Sequence, residues 1–202
     1  SMHQLSFDGY LHESILLPTT VSRHCRLAYD DITSSVWISN YEENLVYRYK
    51  LNDPLDSLIT FTGVQDPRDI VPDPLEGGCW VATKAGITII DHNGSISVYK
   101  NNLDIKDISL NSVNGDCYYV GKNSNTSQWE TGRLIKQEGM QDENILGNDY
   151  PYLHSIQVVP GQGPRGFLVS QAYAWELIRF DHQWKKIGTM AGFNARLDFA
   201  LE

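Results

Sequence analysis

Four segments of this sequence repeat one short pattern, an aromatic and β-branched run that ends in a small residue. The segments are residues 36–39, 79–82, 117–121 and 166–170. Their closing small residues, Ser39, Ala82, Gly121 and Ser170, are 43, 39 and 49 positions apart. Such periods, in segments of strand-like composition, are typical of propeller blades rather than of helical solenoids.

The same order of parts surrounds each of these anchor segments. A short strand pattern lies upstream, at 26–29, 69–71, 107–110 and 155–159, and a turn rich in Gly, Asp, Asn or Pro follows it. Two further alternating runs come after the anchor, such as 86–91 and 95–99, which flank the hairpin signal Asn93-Gly94. The sequence therefore predicts an all-β fold, a β-propeller of four-stranded antiparallel blades whose strands run A to D. The one helix candidate, 141–146, is too short and too polar to stand alone.

The two ends of the chain predict one shared blade. Residues 5–11 resemble 178–184, a third strand and its turn, and 196–200 resemble the first strands. We therefore expect a single domain over 1–202 with about five blades, at approximately 26–65, 66–104, 105–150 and 151–192, the fifth shared between 1–22 and 193–202. This last blade lacks an anchor strand. The alternative is a fragment of a six-bladed or larger propeller, whose unfinished blade could pair with another chain to form an oligomer.

The best-formed stretch, 63–94, resembles the NHL-repeat propellers and the related two-component-regulator propeller repeats. It has a Gly, a Pro before the first strand, the run Trp80-Val81-Ala82, and a strand ending in Asp91 before a Gly turn. Residues 177–181 repeat part of this pattern. The resemblance implies binding of protein or RNA, and a few relatives are lyases or lactonases. Two features depart from the pattern: the blades vary in length, and the third lacks the Asp-x-x-Gly turn.

Composition narrows the class of partner. The net charge is −9, from 16 basic and 25 acidic residues, and no basic cluster exceeds Lys185-Lys186, so nucleic acid is disfavoured. No apolar run approaches the roughly 18 residues of a membrane span, and the N-terminus lacks a signal-peptide pattern. Three widely spaced cysteines predict buried reduced thiols. We expect a cytoplasmic location, or an extracytoplasmic one if the chain is a fragment.

Motifs of catalysis and cofactor binding are weak. Residues 161–166 satisfy G-x-G-x-x-G, but a strand follows them and Pro164 removes an N–H, so the run is interpreted as a turn. The six histidines show no metal-ligand spacing, and neither a P-loop nor a nucleophile elbow occurs. The sequence thus predicts no cofactor and no resident metal.

In a propeller the D–A and B–C loops open on one end, which we call the D–A/B–C face. Tyr, Trp and Arg are over-represented in binding hot spots. The candidate binding residues on this face are Tyr41, Arg68, Asp69, Lys106, Asp107, His154, Tyr173, Trp175 and Arg196. The alternative is that pairs such as Arg68-Asp69 only tie neighbouring blades together.

These residues predict a non-catalytic recognition module that binds a protein segment or a small-molecule ligand through this face. One alternative is an enzyme of the propeller lyase or lactonase type, with His154 as general base and Asp69 or Asp107 holding a metal. The other is the sensing domain of a larger signalling protein.

Overall fold

The computed structural model describes residues 2–5, 11–15, 25–51, 58–144, 146, 152–159, 167–171, 176–181 and 183–191. Strands make up nearly all of the regular structure in these ranges. A single turn of 3-10 helix, Lys136–Glu138, is the one helical element among them. No helix in the described part of the chain is long and apolar enough to cross a membrane.

In the described ranges, eighteen strands form one hairpin and four sheets. The hairpin pairs β1 (Met2–Leu5) with β2 (Leu11–Ile15). The strands of the sheets are β3 (Arg26–Asp30), β4 (Ser35–Asn40), β5 (Leu45–Lys50), β6 (Leu58–Phe61), β7 (Asp69–Pro72), β8 (Cys79–Thr83), β9 (Gly86–Ile90), β10 (Ile96–Tyr99), β11 (Leu103–Leu110), β12 (Cys117–Asn123), β13 (Trp129–Ile135), β14 (Gln141–Asn144), β15 (Leu153–Val158), β16 (Phe167–Gln171), β17 (Glu176–Phe180) and β18 (Lys186–Ala191).

Each sheet is an antiparallel meander of four consecutive strands, β3–β6, β7–β10, β11–β14 and β15–β18. We call these sheets blades one to four, and their strands A to D in chain order. The A strands bring neighbouring blades together, since β3 packs on β7, β7 on β11 and β11 on β15. This arrangement confirms the predicted four-stranded antiparallel units.

Most of the hydrophobic core in the described residues lies between blades, and one small cluster, Ile38 with Tyr47, belongs to blade one alone. In one cluster Trp37 and Phe61 of blade one pack with Ile70 and Val81 of blade two. A second cluster joins blades two and three, and a third joins blades three and four. A single sheet of this size cannot bury its apolar faces alone, so each blade depends on its neighbour for stability.

Acidic and amide side chains close the A–B turns of the first three blades in the same way. Asp30 Oδ1 accepts the N–H groups of residues 32 and 33, and Asp73 Oδ1 accepts those of residues 75 and 76. Asn111 Oδ1 accepts the N–H of Val113 at 2.9 Å. These are Asx turns, the local structure that Asp and Asn favour.

Two C–D turns are also equivalent. Asp91 Oδ1 accepts the N–H of Ser95 at 2.8 Å, and Asp181 Oδ1 accepts that of Lys185 at 2.9 Å. The fourth position of each turn has positive φ, 93° at Gly94 and 64° at Trp184. The turns that follow Asp91 and Asp181 thus have the same geometry in blades two and four, with Trp184 at the position that Gly94 occupies in blade two.

Residues 141–144 form strand β14, the D strand of blade three, which agrees with the rejection of a helix there. Two predictions differ from the structure or extend past its described part. Strand β11 begins at Leu103, before the expected blade boundary at 105. The hairpin β1–β2 lies in the N-terminal part of the predicted fifth blade, and the C-terminal part, 193–202, lies outside the described residues. Cys79 and Cys117 are buried free thiols, as expected, and Cys25 is half-buried.

Candidate binding face

The strand register places four polar residues at the same level of the four A strands. Arg26 lies opposite Ser39, Asp69 opposite Ala82, Asp107 opposite Val120, and Ser155 opposite Ser170. Arg26 and Asp69 are the first residues of their A strands, and Ser155 and Asp107 are the third and fifth residues of theirs. One polar group per blade thus recurs here, and in blade four it is Ser155 rather than the predicted His154.

The residue before this level forms a second row, in which two members lie in β-bulges. Register shifts occur between Ile105 and Asp107 and between Leu153 and Ser155, and Lys106 and His154 are the inserted residues of these bulges. Bulges of this kind re-aim a side chain at the edge of a sheet. His154 Nδ1 lies 3.1 Å from Ser155 Oγ. Cys25 and Arg68 occupy the corresponding positions of blades one and two.

The aspartates of the first row join adjacent blades. Asp69 Oδ2 accepts the backbone N–H of Ile108 at 3.3 Å, and Asp107 Oδ2 accepts that of Ile156 at 2.8 Å. Burial raises the pKa of Asp69. This hydrogen bond, a hydrogen bond to Asp107 and the positive charge of Arg26 each oppose that rise. Both carboxylates therefore have a structural role between blades. Within the described ranges, no group of three or more His, Cys, Asp or Glu side chains is arranged to hold a metal ion.

An ion-pair cluster lies beside this row, between blades two and three. Arg68 Nη1 and Asp104 Oδ1 form an ion pair, and Lys106 Nζ lies 2.6 Å from Asp104 Oδ2. Lys122 is opposite Asp104 in the β11–β12 ladder. Asp104 and Lys122 were not among the residues predicted for this face. The signal that could have found Asp104 is the alternation of Leu103 and Ile105, both buried, around it.

Other polar and aromatic side chains of this face lie in the B–C loops. Tyr41 is half-buried in the B–C loop of blade one, and Lys84 is exposed in that of blade two, 3.9 Å from Asp66. Asn123 closes its own B–C loop, since its Oδ1 accepts the N–H groups of Asn125 and Thr126. The remaining candidates, Tyr173, Trp175 and Arg196, lie outside the described residues.

Comparison with known proteins identifies the architecture. No protein-family model and no curated protein matches the chain. Solved structures do match. A chain from the nidogen/laminin complex has a TM-score of 0.64 at 14% identity, over 82% of this chain and 62% of that one. Streptogramin B lyase has a TM-score of 0.63 at 14% identity, over 87% and 56%. Regucalcin from Agrobacterium tumefaciens, a calcium-binding protein, has a TM-score of 0.58 at 11% identity, over 82% and 57%.

The chain has the β-propeller fold. It spans about 56% to 62% of the length of these three propellers, and its described sheets account for four blades. At such low identity the likeness concerns the fold alone, because one fold hosts many functions. The three propellers include both a component of a protein complex and a lyase, so they leave recognition and catalysis as alternatives for this chain.

Proposed function

We propose that this propeller is a non-catalytic recognition module that binds a protein segment through its D–A/B–C face. The observation that carries the proposal is the convergence of Arg68 and Lys106, from two adjacent blades, on the carboxylate of Asp104 at this face. Arginine and lysine held at a partly exposed seam between rigid sheets form a preorganised polar surface, which lowers the entropic cost of binding.

Two further points favour recognition over the lyase-type alternative. That alternative requires His154 to act next to a metal held by Asp69 or Asp107. Each of these carboxylates instead uses an oxygen to accept a backbone N–H of the next blade. The structural neighbour from a nidogen/laminin complex and the NHL-type sequence pattern both support a protein partner.

Crosslinking from the two ends of the propeller tests the proposal. The photoreactive residue p-benzoylphenylalanine would replace Lys84, in a B–C loop, or Val113, in an A–B turn. The Lys84 side chain is 66% exposed and Val113 is 70% exposed, so the two probes are equally accessible. From position 84 we expect one discrete adduct in an extract of the source cells. Excess unlabelled chain should suppress the formation of this adduct. If position 113 but not position 84 gave adducts that excess unlabelled chain suppresses, the proposed face would be rejected.

A further inference from the structure

One partly buried seam of the D–A/B–C face groups three basic side chains around a single carboxylate, and we propose that it binds an acidic peptide segment. The site consists of Arg68, Lys106 and Lys122 around Asp104, and we call it the blade two–three cation site. This inference rests on the proposed recognition function and specifies the chemistry of its partner, one that supplies side-chain carboxylates.

The charges of the site do not balance. Asp104 is paired with both Arg68 and Lys106. Lys122 faces Asp104 across the ladder and forms no ion pair with any residue that the structure describes. Within this cluster three cations therefore share one carboxylate, a surplus of two positive charges, while the neighbouring carboxylates of Asp69 and Asp107 accept backbone N–H groups of the next blade.

Three ion-paired cations elsewhere in the described ranges provide a comparison. Lys100 is paired with Asp142, Arg133 with Asp116 and Glu143, and Lys136 with Asp73 and Glu76. Each of these cations has at least one carboxylate of its own. The blade two–three cation site differs from these pairs because it has more cations than carboxylates.

The cation site is partly buried, so its surplus positive charge costs more free energy without a counter-ion than it would on a fully exposed surface. The side chains of Arg68, Asp104 and Lys106 are 21%, 20% and 26% exposed. Burial lowers the pKa of Lys106, and repulsion from Arg68 and Lys122 adds to the effect, which together outweigh the attraction of Asp104. A second anion brought to the site would offset this repulsion, and partly desolvated charges interact more strongly than exposed ones.

Carboxylate is the anion that the site already accommodates. The Asp104 side chain shows how one carboxylate contacts an arginine and a lysine at once, each through a different oxygen. Two surplus charges match two acidic side chains of a peptide. The overall negative charge of the propeller repels the long phosphate backbone of a nucleic acid more strongly than it repels a short peptide.

Calorimetric titration of the whole chain with an acetylated, amidated hexaglutamate peptide tests the proposal, with hexaglutamine and inorganic phosphate as parallel probes. We expect hexaglutamate to bind, hexaglutamine to show no binding, and sodium chloride to weaken the interaction. Lys122→Gln should weaken hexaglutamate binding about threefold to fivefold. Asp104→Asn should strengthen it by a similar factor, since it removes the internal competitor for Arg68 and Lys106.

Lys186→Gln is the matched control, because Lys186 is exposed at the start of a D strand, at the opposite end of the propeller. It removes the same charge and should leave the affinity unchanged. Circular dichroism melts show which variants fold, and if Asp104→Asn does not fold, Lys122→Gln alone decides. Equal losses from Lys122→Gln and Lys186→Gln, or binding of phosphate without hexaglutamate, would overturn the inference. The crosslinking experiment from Lys84 separates this outcome from failure of the face itself.

Discussion

Asp107 Oδ2 accepts the backbone N–H of Ile156 at 2.8 Å, and this bond crosses the boundary between blades three and four. The same bond recurs one blade earlier, from Asp69 to the N–H of Ile108. Both acceptors lie at the same level of their A strands, and both donors follow the equivalent position of the next blade. A repeated Asp-Ile dipeptide therefore specifies a repeated connection between blades.

Removing this acceptor should destabilise the propeller. Asp107→Ala leaves the N–H of Ile156, a buried residue, without its partner, so we expect a loss of about 1–3 kcal/mol in the free energy of unfolding. Urea unfolding followed by tryptophan fluorescence measures it. The control is Asp31→Ala, since Asp31 is exposed in the A–B turn of blade one and should cost less than about 0.5 kcal/mol. Equal costs for the two variants would contradict the role of Asp107.

Because the pKa of Asp69 is raised in the folded chain, the contribution of this residue to the free energy of unfolding should fall as the pH rises. Burial makes the folded chain hold the proton of Asp69 more tightly than the unfolded chain, whose carboxyl titrates near its ordinary value of 3.8. The folded state therefore loses stability from this group as the pH rises through the raised pKa. Asparagine does not titrate, so Asp69→Asn should gain stability relative to the parent chain between pH 4 and pH 7.

Unfolding free energies of both proteins at the two pH values test this prediction. Because Asp69 is hydrogen-bonded to Asp107, the two carboxyls titrate as a pair, and the comparison concerns the pair rather than one residue. If the difference in unfolding free energy between variant and parent stays constant or falls as the pH rises, burial of Asp69 is not the dominant effect.

The contact between Lys136 and Asp73 should stabilise the junction of blades two and three. Lys136 Nζ donates to Asp73 Oδ2 at 2.7 Å, and Trp80 Nε1 donates to the same oxygen at 2.9 Å. Lys136→Met keeps the length of the side chain but leaves a buried carboxylate with one donor fewer, and we expect a loss of about 1–3 kcal/mol. The control is Lys84→Met, since that lysine is exposed and lies 3.9 Å from its nearest carboxylate. A loss at Lys84 as large as that at Lys136 would refute the assignment.

Equivalent residues of the A strands differ in burial between blades one and three. Ile108 is 3% exposed because blade two packs against it, whereas Leu27, at the equivalent position of blade one, is 60% exposed. Ile108→Ala should cost about 2–5 kcal/mol, and Leu27→Ala less than about 1 kcal/mol. Thermal and urea unfolding of the two variants provide the measurement. Similar losses would indicate that a further blade or a second chain covers Leu27.

The repeated elements of the fold were predictable from sequence because their signals are local. Aromatic and β-branched runs predicted the B strands. The pair Asn93-Gly94 predicted a hairpin turn, and in the structure Asp91 accepts hydrogen bonds within that turn. In the structure Asp69 and Asp107 lie on A strands and Arg68 directly precedes one, whereas Lys106, expected before its strand, lies inside β11.

The cation site was not predictable to the same extent, since it depends on a bulge. At Lys106 the extra residue reverses the alternation of inward and outward side chains, so residues 103–105 did not read as part of the strand that begins at Asp107. Asp104 and Lys122 were missed for this reason. The contacts of Asp69 and Asp107 with the next blade depend on packing between sheets, which a repeat pattern alone does not encode.

The most direct test of the central claim is a map of amide chemical-shift changes in the ¹⁵N-labelled chain on titration with hexaglutamate. The account predicts that the changes concentrate at the D–A/B–C face, at Arg68, Lys106 and Lys122, and that Ile32 and Val113, in A–B turns at the opposite end, stay unperturbed. Changes centred on the A–B and C–D turns would contradict it, and so would a spectrum that hexaglutamate leaves unchanged at millimolar concentration.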